Sequence, residues 1–270
     1  MRKFLAVFAA FMLGSTPTYS EDKLEALESV DQGRAYQAIG RLDIAGSGFC
    51  TGTLISLDLV LTAAHCVYNS ETKERIPASE ISFKPGLRNG RAAAYRSVRR
   101  VAVHPDYDYD GTVALDRVAT DLALIELSQP IRQSGITPII VERNSRKLKT
   151  VSLVSYAKDR EHVPSLQSQC NVLDRERAVQ VLSCDVDFGA SGSPVFVTED
   201  GVPRIVSVVS AKSMWRNERV ALAVTVGSSV ESLRNNLRES DGVFTRQAPT
   251  IKKLTGVRAM QGAGAKFLRP

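Results

Sequence analysis

The sequence predicts an all-β protein, built as antiparallel barrels or a sandwich. Three observations carry that prediction. Short runs rich in Val, Ile, Leu and Thr recur at 49–55, 59–63, 80–84, 98–103 and 121–127, then at 150–156, 178–184, 194–198, 204–210 and 219–226. Runs of this length bounded by turn residues read as strands. Few stretches with helical periodicity lie between them, which argues against alternating βαβ units. With 270 residues, 43% of them hydrophobic and 24% charged, the chain can bury the core of one or two domains and is not globally disordered. Its 18 glycines and 11 prolines exclude a collagen-like or low-complexity chain, and no internal repeat is present.

Taken in order, the elements begin with an apolar run at 4–13, which follows Met1-Arg2-Lys3 and precedes Gly14-Ser15-Thr16-Pro17-Thr18-Tyr19-Ser20. A basic start, a short apolar stretch and small or polar residues read as a secretory signal peptide over 1–20. The run is too short to cross a bilayer, which takes about 20 residues, so no membrane span is expected. The protein is therefore expected to be secreted or periplasmic. Residues 21–35 form an N-terminal segment or short propeptide, with a short acidic helix over 21–30. A second helix is predicted at 228–238. Ser228 and Glu231 form a capping box, and Val230, Leu233 and Leu237 fall on one face.

Residues 241–270 carry Arg246, Lys252, Lys253, Arg258, Lys266 and Arg269 against Asp241 alone, and read as a basic flexible tail. The formal net charge is +6. Loss of Arg2 and Lys3 with the signal leaves about +4, most of it in the tail. The body is then near neutral, which argues against a nucleic-acid partner. Arg96, Arg99 and Arg100 read as solvated strand positions.

Four cysteines in an exported chain suggest two disulfides, with three possible pairings. The most local choice is Cys50 with Cys66 and Cys170 with Cys184. A metal site on Cys50, His65 and Cys66 is the rival reading. It lacks the C-x-x-C or H-x-x-x-H spacing of a metal centre, and no metal is expected.

Only three histidines are present: His65, His104 and His162. His104 precedes Pro105, which biases it to extended backbone at a strand end. His162 lies in a polar stretch and reads as an exposed loop residue. His65 follows an apolar strand and two alanines, and neighbours Cys66. Small neighbours leave room for an imidazole and a crosslink holds it still, which suits a general base. A second element is Gly189-Ala190-Ser191-Gly192-Ser193-Pro194. Its glycines permit a tight turn that aims the amides of Gly189 and Ser191 at one point, as an oxyanion hole requires. Ser193 stands where the G-x-S-x-G elbow of α/β-hydrolases has glycine, so that elbow is not matched. The third element is Asp121, which opens the apolar strand Leu122-Ala123-Leu124-Ile125-Glu126-Leu127. A carboxylate there can accept the imidazole N–H and hold its tautomer.

Together, "LTAAHC", "DLALIEL" and "GASGSP" resemble the three signatures of the trypsin/chymotrypsin family of serine peptidases, in that family's order. The likeness runs from about residue 38 to 238, includes "CTGTLIS" and "HPDYD", and is nearest to bacterial exported members, among them the glutamyl-endopeptidase-like branch. It implies two antiparallel six-stranded β-barrels, over 36–135 and 136–240, with a short C-terminal helix. It also implies His65 as general base, Asp121 as its orienter, Ser191 as nucleophile, and the amides of Gly189 and Ser191 as oxyanion hole. By the same likeness Asp185 and Ser210 bind substrate, and Asp185 at the pocket base favours a basic side chain at the cleaved position. The alternatives are that Asp185 is a structural acid, that Asp187 faces the pocket instead, or that Lys212 occupies the carboxylate or invites an acidic side chain. The chain departs from the pattern in two places. Ala190 replaces the aspartate that pairs with a freed N-terminus in animal members, and no Ile-Val-Gly-Gly precedes residue 38. Ala211 and Lys212 replace Trp-Gly after Ser210.

The function these features predict is an exported serine endopeptidase that acts on polypeptide substrates without a cofactor, with a monomer as the expected state. The competing classes are a catalytically inactive protease-like binding module and a polyanion-binding surface protein acting through its basic tail.

Overall fold

The computed structural model describes residues 23–44, 48–109, 114–143 and 148–239. The signal-peptide and tail expectations lie outside them. Fourteen strands and two α-helices are described. They are β1 (Glu25–Ala26), β2 (Ile39–Ile44), β3 (Gly48–Leu54), β4 (Leu59–Thr62), β5 (Ile81–Pro85), β6 (Arg96–Val103), α1 (Leu115–Val118) and β7 (Ala123–Leu127). There follow β8 (Ile140–Val141), β9 (Thr150–Ala157), β10 (Arg160–Glu176), β11 (Val179–Leu182), β12 (Pro194–Glu199), β13 (Val202–Trp215), β14 (Glu218–Thr225) and α2 (Ser229–Glu239).

The first six long strands close into an antiparallel barrel in the order β2-β3-β4-β7-β6-β5. A second ring runs β9-β10-β11-β14-β13-β12 and returns to β9. Closure removes the open sheet edges that a sandwich would leave. The sequence-based choice between barrel and sandwich is thus resolved as barrels.

Each strand forms where alternate residues can be buried. In β2 the run Ile39-Gly40-Arg41-Leu42-Asp43-Ile44 buries Leu42 and Ile44 and leaves Arg41 and Asp43 half-exposed. Strand β7, by contrast, is buried along its whole length. Its Glu126 is held at the barrel wall by Arg99 and Arg100 of β6, so these arginines are ion-paired rather than merely solvated. Helix α2 buries Val230, Leu233 and Leu237, the face predicted, against β6 and β7 of the first barrel. Burying three such side chains is worth about 1.5–3 kcal/mol each, which is what a helix of three turns needs to persist.

Two expectations are corrected. The stretch at 21–30 is not a helix over its described part: Glu25 and Ala26 pair with Leu166 and Ser165 of β10. An isolated helix of that length is unstable in water, whereas the β10 edge satisfies the same backbone groups. His162 lies within β10, not in a loop, although its side chain is exposed. Strand β10 escaped notice because its apolar residues are sparse and Pro164 interrupts it. The proline falls between two register points, where its carbonyl accepts the Leu27 amide (2.9 Å).

Candidate active site

His65 and Asp121 come from the first barrel. Strand β4 ends at Thr62, and a 3-10 turn over Ala64–Val67 carries His65. Ala63 and Ala64 are fully buried beneath it. The Cys50–Cys66 disulfide ties this turn to β3, and Cys170–Cys184 ties β10 to the segment leading towards Ser191. Both are the predicted pairs. Because the sulfurs of Cys50 and Cys66 are bonded to each other, they do not offer thiolates to a metal beside His65.

Asp121 is fully buried just ahead of β7. Its Oδ1 accepts the backbone amide of His65 (2.9 Å), and its Oδ2 lies 2.7 Å from His65 Nδ1. Ser210 of β13 donates its hydroxyl to the same Oδ2. Burial by itself would raise this carboxyl. The charge and hydrogen bonds of His65, with the bond from Ser210, outweigh burial and hold it below the ordinary carboxylate range. Tyr107 packs against Ala64 and Ala123, and its hydroxyl accepts a bond from Arg117 (3.0 Å).

Ser191 comes from the second barrel, in the turn before β12. It lines a cleft of about 400 Å³ together with His65, Val186, Asp187, Phe188, Val209, Ser210, Ala211 and Lys212. Gly189 has φ +93°, and a Cβ there would sit 2.1 Å from the Phe49 ring. The amides of Ala190, Gly192 and Ser193 donate to the carbonyls of Asp187, Val209 and Ala190. Among the described residues, those of Gly189 and Ser191 make no such bond.

Thr51 of β3 was not singled out from sequence. It is fully buried, its amide donates to the Ser191 carbonyl (2.8 Å) and its hydroxyl to the Gly189 carbonyl (3.0 Å). It thus joins the serine turn to the barrel that carries His65. The signal available was a pair of threonines, Thr51 and Thr53, in a strand otherwise of glycine and apolar residues, where a buried hydroxyl seeks a partner.

The two residues expected to bind substrate are placed differently. Ser210 lines the cleft, but its hydroxyl is committed to Asp121. Asp185 is exposed, its amide donates to Gln167 Oε1 (2.8 Å), and it lines a neighbouring cavity of about 500 Å³ instead of the cleft.

A histidine on a buried carboxylate thus faces a cleft that also holds a serine in a glycine turn, on a double β-barrel. The trypsin family model matches residues 28–231, and the chain belongs to that family. It is 30% identical over 140 residues to a trypsin of Sarcophaga bullata, covering 50% of each chain. It is 29% identical over 162 residues to a glutamyl endopeptidase of Bacillus licheniformis, covering 60% of this chain and 49% of the relative. The chain thus spans about half the length of these relatives. A solved Glu endopeptidase in complex with MPD superposes with a TM-score of 0.64 at 19% identity, covering 82% of this chain and 98% of that one. At that identity the likeness speaks for the fold.

Proposed function

We propose that the protein is an exported serine endopeptidase. The observation that carries this reading is the His65–Asp121 pair at 2.7 Å, opening onto the cleft that Ser191 lines. Asp121 keeps the proton on Nδ1, which leaves Nε2 as the base. Nε2 takes the proton of Ser191 Oγ as that oxygen attacks the peptide carbonyl. The amides of Gly189 and Ser191 receive the tetrahedral oxyanion. Protonated His65 then gives its proton to the leaving amine, and the acyl group remains on Ser191. Water, giving a proton to His65, attacks this ester; Ser191 Oγ leaves, takes that proton back from His65, and the acid product is freed. The steps need no cofactor.

Export fits the apolar segment at 4–13 and the paired cysteines, since disulfides persist in oxidising compartments. The secreted or periplasmic location, removal of residues 1–20 and the basic tail at 241–270 belong to this reading.

The test uses protein beginning at Glu21, a fluorophosphonate probe and a peptide library. Labelling should map to Ser191. Ser191→Ala and His65→Ala should each cut turnover by about three orders of magnitude or more with the fold intact, because triad members act as a unit. Near wild-type hydrolysis by Ser191→Ala overturns the mechanism, and a protein that neither labels nor cleaves is the inactive binding module.

A further inference from the structure

The wall of the cleft beside Ser191 contains a feature that the proposed chemistry does not use. Lys212 Nζ lies 2.6 Å from Asp187 Oδ1 and 4.1 Å from the centre of the Phe188 ring. Lys212 comes from β13, while Asp187 and Phe188 lead into the serine turn, so the ion pair spans the two sides of the cleft. Lys212 and Asp187, with Val186, also line the second cavity, where Asp185 and Arg219 lie. Lys212 and Asp187 therefore form the partition between the two spaces.

We propose that this ion pair is the specificity-determining element of the peptidase site, and that it selects an uncharged, apolar side chain at the cleaved position. The inference rests on the serine-peptidase reading and names the substrate class of that site. Val186, Val209, Ala211 and the Phe188 ring supply the apolar surface around the space. Of the charges on its wall, Lys212 and Asp187 satisfy each other, and Arg117 donates to the Tyr107 hydroxyl. A basic side chain must displace Lys212 to reach Asp187, and an acidic one must displace Asp187 to reach Lys212. Either exchange breaks one ion pair to form another and gains little, whereas an apolar side chain leaves the pair in place. Asp185, the acid expected from sequence to receive a basic side chain, stands on the far side of the partition. Its charge, like that of Asp187, also acts on half-buried Arg160. The bond from Lys212 keeps the Asp187 carboxyl below the usual range and hence ionised. With side chains 50% and 47% exposed, Lys212 and Asp187 form a weak pair, so replacing either should re-aim the pocket without unfolding the protein.

The experiment compares kcat/KM on four otherwise identical peptide substrates with Leu, Phe, Arg or Glu at the cleaved position. It uses the wild type, Lys212→Ala and Asp187→Asn, each normalised to the sites titrated by a fluorophosphonate. The wild type should prefer Leu or Phe over both charged substrates. Lys212→Ala exposes Asp187 and should raise Arg relative to Leu by about tenfold, and Asp187→Asn exposes Lys212 and should raise Glu by a similar factor. A wild type that labels at Ser191 yet prefers Arg or Glu overturns the inference and leaves the peptidase reading standing, as do ratios unmoved by both variants. Absence of any Ser191-dependent cleavage removes the reading and the inference with it.

Discussion

Ser210 and His65 share one oxygen: both bond to Oδ2 of Asp121, while the backbone amide of His65 takes Oδ1. A carboxylate from one barrel is thus bound by donors from both, and the imidazole can neither rotate nor exchange tautomers without breaking a buried bond.

Asp121→Asn replaces acceptors with an amide that offers a donor to one of these partners. Turnover should fall by about ten-thousand-fold, since the wrong histidine tautomer is then stabilised. Ser210→Ala removes one of three bonds and leaves the imidazole in place, so Ser210 acts as a positioning residue. Its loss should cost about tenfold in kcat and change KM little, because it touches Asp121 and not the scissile carbonyl. The pH–rate profile should also move, which steady-state assays across pH will measure. An unchanged profile with lowered expression assigns Ser210 to the fold alone.

The depressed pKa of Asp121 links stability to pH. A carboxyl held lower in the folded than in the unfolded chain contributes stability above its unfolded value, near 3.9, and loses it as pH falls through the folded value. Denaturant melts at pH 7 should show the wild type more stable than Asp121→Asn. Below about pH 4 that gap should narrow. Asp43 is also partly buried, which would raise its carboxyl, but Arg41 and Lys84 hold it low. It therefore adds to the wild type's acid sensitivity with the same sign.

The disulfides close loops with sequence separations of 16 and 14. In the chain-entropy picture each is worth about 3 kcal/mol. Replacing both cysteines of either pair with serine should lower unfolding stability by about that amount. Cys50/Cys66 should in addition depress turnover, because its crosslink holds the turn carrying His65. Equal turnover per folded molecule would confine that disulfide to stability.

The segment at 23–36 is built into the fold. Leu27 is 2% exposed, its amide donates to Pro164 O, and its carbonyl accepts the Arg88 side chain (2.8 Å) from the first barrel. It therefore straps one barrel to the other. Leu27→Ala should cost about 2–5 kcal/mol, and a chain starting at Tyr36 should melt at lower temperature than one starting at Glu21. Ala190 has no carboxylate to pair with a freed N-terminus, so protein beginning at Glu21 should titrate active sites without further trimming. A trimmed chain that is more active and equally stable would make this segment a removable propeptide.

Short-range pattern was enough to read much of the molecule. His65 after its alanines, Asp121 before an apolar strand, Ser191 between glycines, the local cysteine pairs and the buried face of α2 each depend on residues within a few positions of one another. The fold brings His65, Asp121 and Ser191 to one place. What the sequence could not disclose depends on distant pairings. Thr51 meets Gly189 from 138 residues away, and Ser210 meets Asp121 from 89. Strand β10 carries too few apolar residues to be read alone and is held by β9, β11 and β1. Asp185 is a case of the same kind: its position before Ser191 is a matter of sequence, whereas its place in the second cavity, beside the Lys212–Asp187 pair, depends on how β13 packs against the serine turn.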